Sequence, residues 1–150
     1  MRRRVVVTGL GVISPVGNNV QDAWENILCG RSGISQIDIF DVSGFASQIG
    51  GLIRDFDVTT IMPAKEARKT DPFIHYGLAA SIEAIEDSGL EITDDNAERI
   101  GIAIGSGIGG LPGIERGHDG YLAGGPRKIS PFFVPSNIIN MIAGNLSIRF

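Results

Sequence analysis

Few side chains in this 150-residue sequence are suited to covalent or proton-transfer chemistry, and none stands in a pattern that chemistry would need. Cys29 is the sole cysteine, so no disulfide within the chain and no cysteine-based zinc site can form. It falls at the C-terminal end of a predicted helix, where the helix dipole disfavours a thiolate. The expected role is a small, partly buried packing residue. His75 lies within a long predicted helix and His118 in a glycine-rich loop, with no second ligand at metal spacing for either. Both read as structural or solvent-exposed histidines. Asp94 with Asp95, and Glu115 with Asp119, could be taken for carboxylate pairs, but they sit beside loops and helix ends and read as solvated surface.

The stretch "GIAIGSGIGGLPGIERG", Gly101 to Gly117, offers a different chemistry. Gly105, Gly107 and Gly110 satisfy the G-x-G-x-x-G spacing used by dinucleotide sites. That fingerprint also needs a helix directly after the first glycines and a second strand ending in an acidic residue roughly 20 positions on. Here those positions hold Gly124, Gly125 and Pro126, and Pro112 interrupts the loop. The related threonine-glycine pattern fails at "TGLGVISP", where Ile13 and Ser14 stand in place of glycine. The glycines are expected to serve close packing and not a phosphate.

The elements that would hold these residues alternate between strand and helix. "RRVVVTGLG" reads as a buried parallel strand ending in a glycine turn, and "RIGIAIG" as a second. "NNVQDAWENILCGRSG" reads as a helix capped by Asn18 or Asn19, with an apolar stripe of Val20, Ala23, Trp24, Ile27 and Leu28 and a stop at Gly30. Residues 31–60 look loop-like apart from a short strand near "IGGLI". The clearest helix is "DPFIHYGLAASIEAIEDSG", with Asp71 placed to cap, Pro72 in the first turn and Gly89 ending it. "SNIINMIAGNLSIRF" reads as an apolar helix starting near Ser136. Alternation of this kind implies an α/β layered fold with a mostly parallel sheet. Two or three strands do not make such a sheet self-sufficient, so the chain reads as the front part of something larger.

Bulk composition agrees with a globular domain: 43% hydrophobic residues, 20% charged and 21 glycines. A net charge of −4 argues against a general nucleic-acid binder, while permitting a local basic patch. No run approaches the roughly 18 apolar residues of a membrane helix. A lone cysteine suits a reducing, cytoplasmic compartment. Lys65, Arg68 and Lys69 stand at i, i+3 and i+4, so a short helix after Pro63 would set all three on one side. They form either a solvated helix face or a docking patch for an acidic partner. Arg127 and Lys128 remain open between the same two roles.

"VVVTGLGVISPVGN", "RKTDPFIHYGLAAS", "RIGIAIGSGIGG" and "GGPRKISPFFVPSNIINMIAG" together resemble, in order and over essentially the whole chain, the N-terminal part of the β-ketoacyl-acyl carrier protein synthases. The likeness is to the elongating type II enzymes of bacterial fatty acid synthesis. It implies a thiolase-like layered αβαβα fold, with residues 1–150 forming its N-terminal portion and ending before the catalytic cysteine. It further implies a homodimer, acyl carrier protein as partner in its acyl and malonyl forms, and no cofactor, nucleic acid or membrane. The nucleophile and two histidines of the family would fall beyond Phe150, leaving no catalytic residue in this chain. By the same resemblance Gly107 and Ile108 border the acyl tunnel and Phe133 reaches a partner's acyl pocket. Lys65, Arg68 and Lys69 then become carrier-protein contacts. Without it, Ile108 would be ordinary core filling and "SPFFVP" could equally be a buried turn. A carrier-binding or dimerisation module without catalysis is the alternative, and a nucleotide-dependent oxidoreductase the more distant one.

Overall fold

The computed structural model describes residues 3–150, which fall into two compact units. The first comprises the described residues up to Asp57 together with Ala79–Gly89; the second comprises Val58–Leu78 and Leu90–Phe150.

In the first unit, α1 (Val20–Leu28) begins where expected. The Asn19 side chain accepts from Asp22 N at 2.8 Å, satisfying an amide the helix leaves unpaired. Gly30 follows with φ of 66°, the left-handed conformation that closes a helix most easily when no Cβ is present. The expected apolar stripe is buried only at Ala23, whereas Trp24, Ile27 and Leu28 are exposed. Cys29 is also exposed and does not pack as expected. Two short strands, β1 (Ile34–Gln36) and β2 (Ile49–Gly51), pair antiparallel with Ile34 opposite Gly51 and Gln36 opposite Ile49. β2 coincides with the strand read near "IGGLI".

This is the only sheet among the described residues, and the expected parallel strands do not appear in it. Residues 3–10 join no strand ladder and leave Val5, Val6 and Val7 exposed, and residues 101–106 likewise form no ladder. A β-branched run suits a strand buried on both faces, but it becomes one only beside a neighbouring strand. The end of this segment bonds instead to α3 (Pro72–Ser88), whose residues 79–88 belong to this unit. Leu10 N donates to Asp87 Oδ2 at 2.8 Å and Val12 N to Glu83 Oε2 at 2.9 Å. The other Glu83 oxygen accepts from Val20 N at 2.7 Å, placing an anion at the N-terminus of α1. Gly9 and Gly11 permit this approach, since a Cβ on either would overlap the α3 backbone at Ala84 or Ala80.

The second unit holds α2 (Ala64–Ala67), residues 72–78 of α3, α4 (Leu111–Gly124), α5 (Phe133–Asn137) and α6 (Met141–Arg149). Its core is Ala67, Ile74, Leu78, Ile142 and Leu146. Gly77 lets Ile142 lie directly on α3; a Cβ there would stand 2.5 Å from Ile142 Cδ1. The long helix ends at Ser88, followed by Gly89 with φ of 63°, as its sequence implied. Besides the missing strand at residues 101–106, two further expectations fail in this unit. Pro112 lies in the first turn of α4 instead of interrupting a loop, because a helix's first turn has no use for the proline's missing N–H. Glu115, His118 and Asp119 are therefore helical. The apolar stretch at the end is two helices, broken where Ile138 turns extended at ψ of 141°.

Candidate functional site

The glycine loop answers the phosphate question through the amides it has already committed. Gly109 N donates to Ser106 Oγ at 3.1 Å and Gly110 N to the Asn137 carbonyl at 3.0 Å. One turn into α4, Gly113 N donates to Asp71 Oδ2 at 3.0 Å. An anion seated at this helix start would need those N–H groups free. The bare Cα atoms have an occupant as well: a Cβ on Gly109 would overlap the Asn137 carbonyl, and one on Gly110 or Gly113 the Asn137 side-chain oxygen. Asn137 is 6% exposed, and its Nδ2 donates to Phe133 O at 2.5 Å. Glycine at 109, 110 and 113 thus makes room for α5 and not for a nucleotide.

Gly105 and Gly107 differ. Nothing lies within 4 Å of where their side chains would begin, and Ile108, 66% exposed, stands on the same open stretch. Ile108 is therefore not core filling within this chain. Phe133 is half-buried with its ring against Gly117 of α4. It shares a cavity with Arg68 and Lys69, whereas Gly107, Ile108 and Lys65 are not in its lining.

A short helix forms after Pro63, as expected, but it holds only the first of the three cations. α2 carries Lys65, its C-cap is Arg68, and Lys69 follows, all three exposed. Arg68 Nε donates to Ala64 O at 3.2 Å, and the Lys69 ammonium lies 5.0 Å from the centre of the Phe132 ring. That cation–π contact ties the basic segment to the arm bearing Phe133. Among the described residues no ion pair engages Lys65, Arg68 or Lys69.

Sequence reasoning missed the acid that organises this region. Asp71, 2% exposed, accepts from Gly113 N, and its Oδ2 lies 3.5 Å from Arg116 Nη2. Its own amide donates to Ser136 O at 3.3 Å. One residue therefore joins the start of α3, the first turns of α4 and the end of α5. Its place just before α3 was legible, but partners 42 and 45 residues away were not.

Nearby, Thr70 Oγ1 lies 2.8 Å from His75 Nε2. Burial pushes the imidazole below its ordinary pKa of 6.5, outweighing the Ala67 backbone and the charge of Asp71, which act the other way. An unfolded chain takes up this proton first as pH falls, so it binds more protons in that window and folding weakens. The Tm is expected to fall between about pH 7 and pH 5, and less steeply in His75→Gln, as thermal melts across that range would measure. His118 is exposed on α4, 3.9 Å from the Asp119 carboxylate. Among the described residues no cluster of histidine, cysteine and carboxylates could hold a metal, and no helix is long and apolar enough to cross a membrane.

The sequence profile of the "Beta-ketoacyl synthase, N-terminal domain" family matches residues 2–150. The chain belongs to the β-ketoacyl synthase family. A 3-oxoacyl-[acyl-carrier-protein] synthase 2 from Vibrio harveyi is 60% identical over 98% of this chain and 35% of its own length. One from Staphylococcus aureus strain N315 is 43% identical over 97% of this chain and 35% of its own. The chain thus spans about a third of the length of the curated relatives it matches. Among solved structures, AntDE:AntF is a type II PKS acyl-carrier protein in complex with its ketosynthase bound to the hexaketide. The match is 26% identical with a TM-score of 0.76, covering 99% of this chain and 39% of that one. A β-ketoacyl synthase from Burkholderia phymatum STM815 shares the fold at a TM-score of 0.77 and 22% identity. The β-ketoacyl synthase neighbours support an α/β fold for this chain, though the sheet among the described residues has two strands only.

Proposed function

We propose that this chain is the N-terminal part of a 3-oxoacyl-[acyl-carrier-protein] synthase of type 2, a condensing acyltransferase of fatty acid synthesis. The observation that carries the reading is 60% identity to the Vibrio harveyi enzyme over nearly every residue. In that reaction an acyl group passes from its carrier to a cysteine thiolate, and malonyl-carrier protein loses carbon dioxide. The resulting carbanion attacks the acyl thioester and expels the thiolate. A nucleophile for this step is served by the positive end of a helix and by backbone donors for the oxyanion, whereas Cys29 stands exposed at the C-terminal end of α1. The thiolate and its histidines are assigned to polypeptide outside these residues, within a layered, homodimeric, cytoplasmic enzyme needing no cofactor. The full-length enzyme is expected to release carbon dioxide from malonyl-carrier protein and lengthen an acyl-carrier substrate by two carbons, and this segment alone to do neither. Failure of the full-length protein to condense would overturn the reading.

Gly107, Ile108 and Phe133 are proposed to border the acyl chain, and Lys65, Arg68 and Lys69 to receive the carrier protein. Support for the first comes from the uncrowded space at Gly107 and the exposure of Ile108. Support for the second comes from three exposed cations on a chain of net charge −4, whose structural relative binds a carrier. Ile108→Phe is expected to shift products of the full-length enzyme to shorter chains. Overfilling an apolar pocket costs about 1–3 kcal/mol, enough to exclude the last one or two methylenes. Chromatography of the acyl products checks this, and an unchanged spectrum removes Ile108 from the pocket.

A further inference from the structure

We infer that Arg116 completes an anion-receiving cavity with Arg68, Lys69 and Lys128, and that this cavity takes carboxylate side chains of the acidic carrier. The inference rests on the carrier-docking reading above and extends it to a residue on another helix. The cavity, about 190 Å³, is lined by these four cations and by no carboxylate. On a chain of net charge −4 such a concentration of positive charge draws in an acidic side chain while the rest of the surface repels a polyanion such as nucleic acid.

The cations are also held in place before any partner arrives. Arg116 Nη2 is tethered to the buried Asp71 carboxylate at 3.5 Å, yet the side chain stays 67% exposed, so the rest of its donor fork faces outward. Arg68 is anchored through Nε to Ala64 O, and Lys69 rests over Phe132. The Lys128 stem lies along Gly124, where a Cβ would meet its Cγ at 2.7 Å. Fixing long cationic side chains beforehand reduces the ordering cost that makes ordinary surface ion pairs weak. Asp71 is thus a positioning residue for docking, acting through Arg116.

The test uses the full-length enzyme and compares kcat/KM for an acyl-carrier protein with that for a small acyl-thioester mimic. Arg116→Glu is expected to lower the ratio of the two values about tenfold, with a shallower dependence on salt, and Arg116→Lys to restore most of it. An unchanged ratio in Arg116→Glu overturns the inference. If Lys65→Glu with Arg68→Glu still lowers the ratio, the docking reading survives that result; if neither variant does, both fall. An equal loss on both substrates would assign Arg116 to folding through Asp71, and would also overturn it. So would competition by inorganic phosphate at constant ionic strength without any effect of the Arg116 variants on carrier binding.

Discussion

Reversing both charges in Lys65→Glu with Arg68→Glu is expected to raise KM for an acyl-carrier substrate about a hundredfold in the full-length enzyme. Each reversal replaces an attraction to the carrier's acidic surface with a repulsion, and about 1.4 kcal/mol per site gives that product. The two side chains are exposed, and among the described residues neither belongs to an ion pair, so the change strands no charge and removes only the Arg68 Nε bond to Ala64 O. Lys65 lies on the exposed side of a short helix and Arg68 caps its end, and glutamate forms helix about as well as lysine or arginine. A small thioester mimic, which never meets this surface, provides the control. A parallel fall on both substrates in steady-state assays would mean damaged folding and would remove the docking role.

The second large effect is on stability. Asp71→Ala is expected to cost about 2–3 kcal/mol, most of it from the stranded Gly113 amide and the void around a side chain only 2% exposed. The pairing with Arg116 adds little, because that guanidinium is mostly in solvent. Asp71→Asn keeps an oxygen for Gly113 N and is expected to lose roughly half as much. Urea denaturation monitored by circular dichroism measures both. A loss below about 0.5 kcal/mol for the alanine variant would show that α3, α4 and α5 hold their places without this carboxylate.

How much of this could be read beforehand depended on the range of the interaction. The ends of α1 and α3 were legible because caps and glycine stops act within a turn: Asn19 reaches Asp22, and Gly30 and Gly89 adopt positive φ. The short helix after Pro63 was legible for the same reason, though it ends before Arg68 and Lys69. The glycine loop was half legible. Its failure as a nucleotide fingerprint could be deduced, but its actual occupant could not, since Asn137 lies well over twenty residues downstream. Pro112 reads from the sequence only as a loop breaker, and the helix that contains it is set by bonds at Gly110 and Gly113 to residues distant in sequence. The valine run at 5–7 carries strong strand propensity without a partner among the described residues, and propensity alone makes no ladder. The candidate site divides the same way: its exposed cations announced themselves, while the buried Asp71 and its tether to Arg116 arise from chain folding over 45 residues.

The wedge of Asn137 against three bare Cα atoms also constrains how this protein can drift. A methyl group at position 113 has nowhere to go while asparagine occupies 137, so the two sites trade volume as one unit. Gly113→Ala alone is then a dead end, whereas the same change beside a trimmed residue at 137 opens a passable route. Homologous sequences carrying bulk at the first position are expected to have surrendered it at the second.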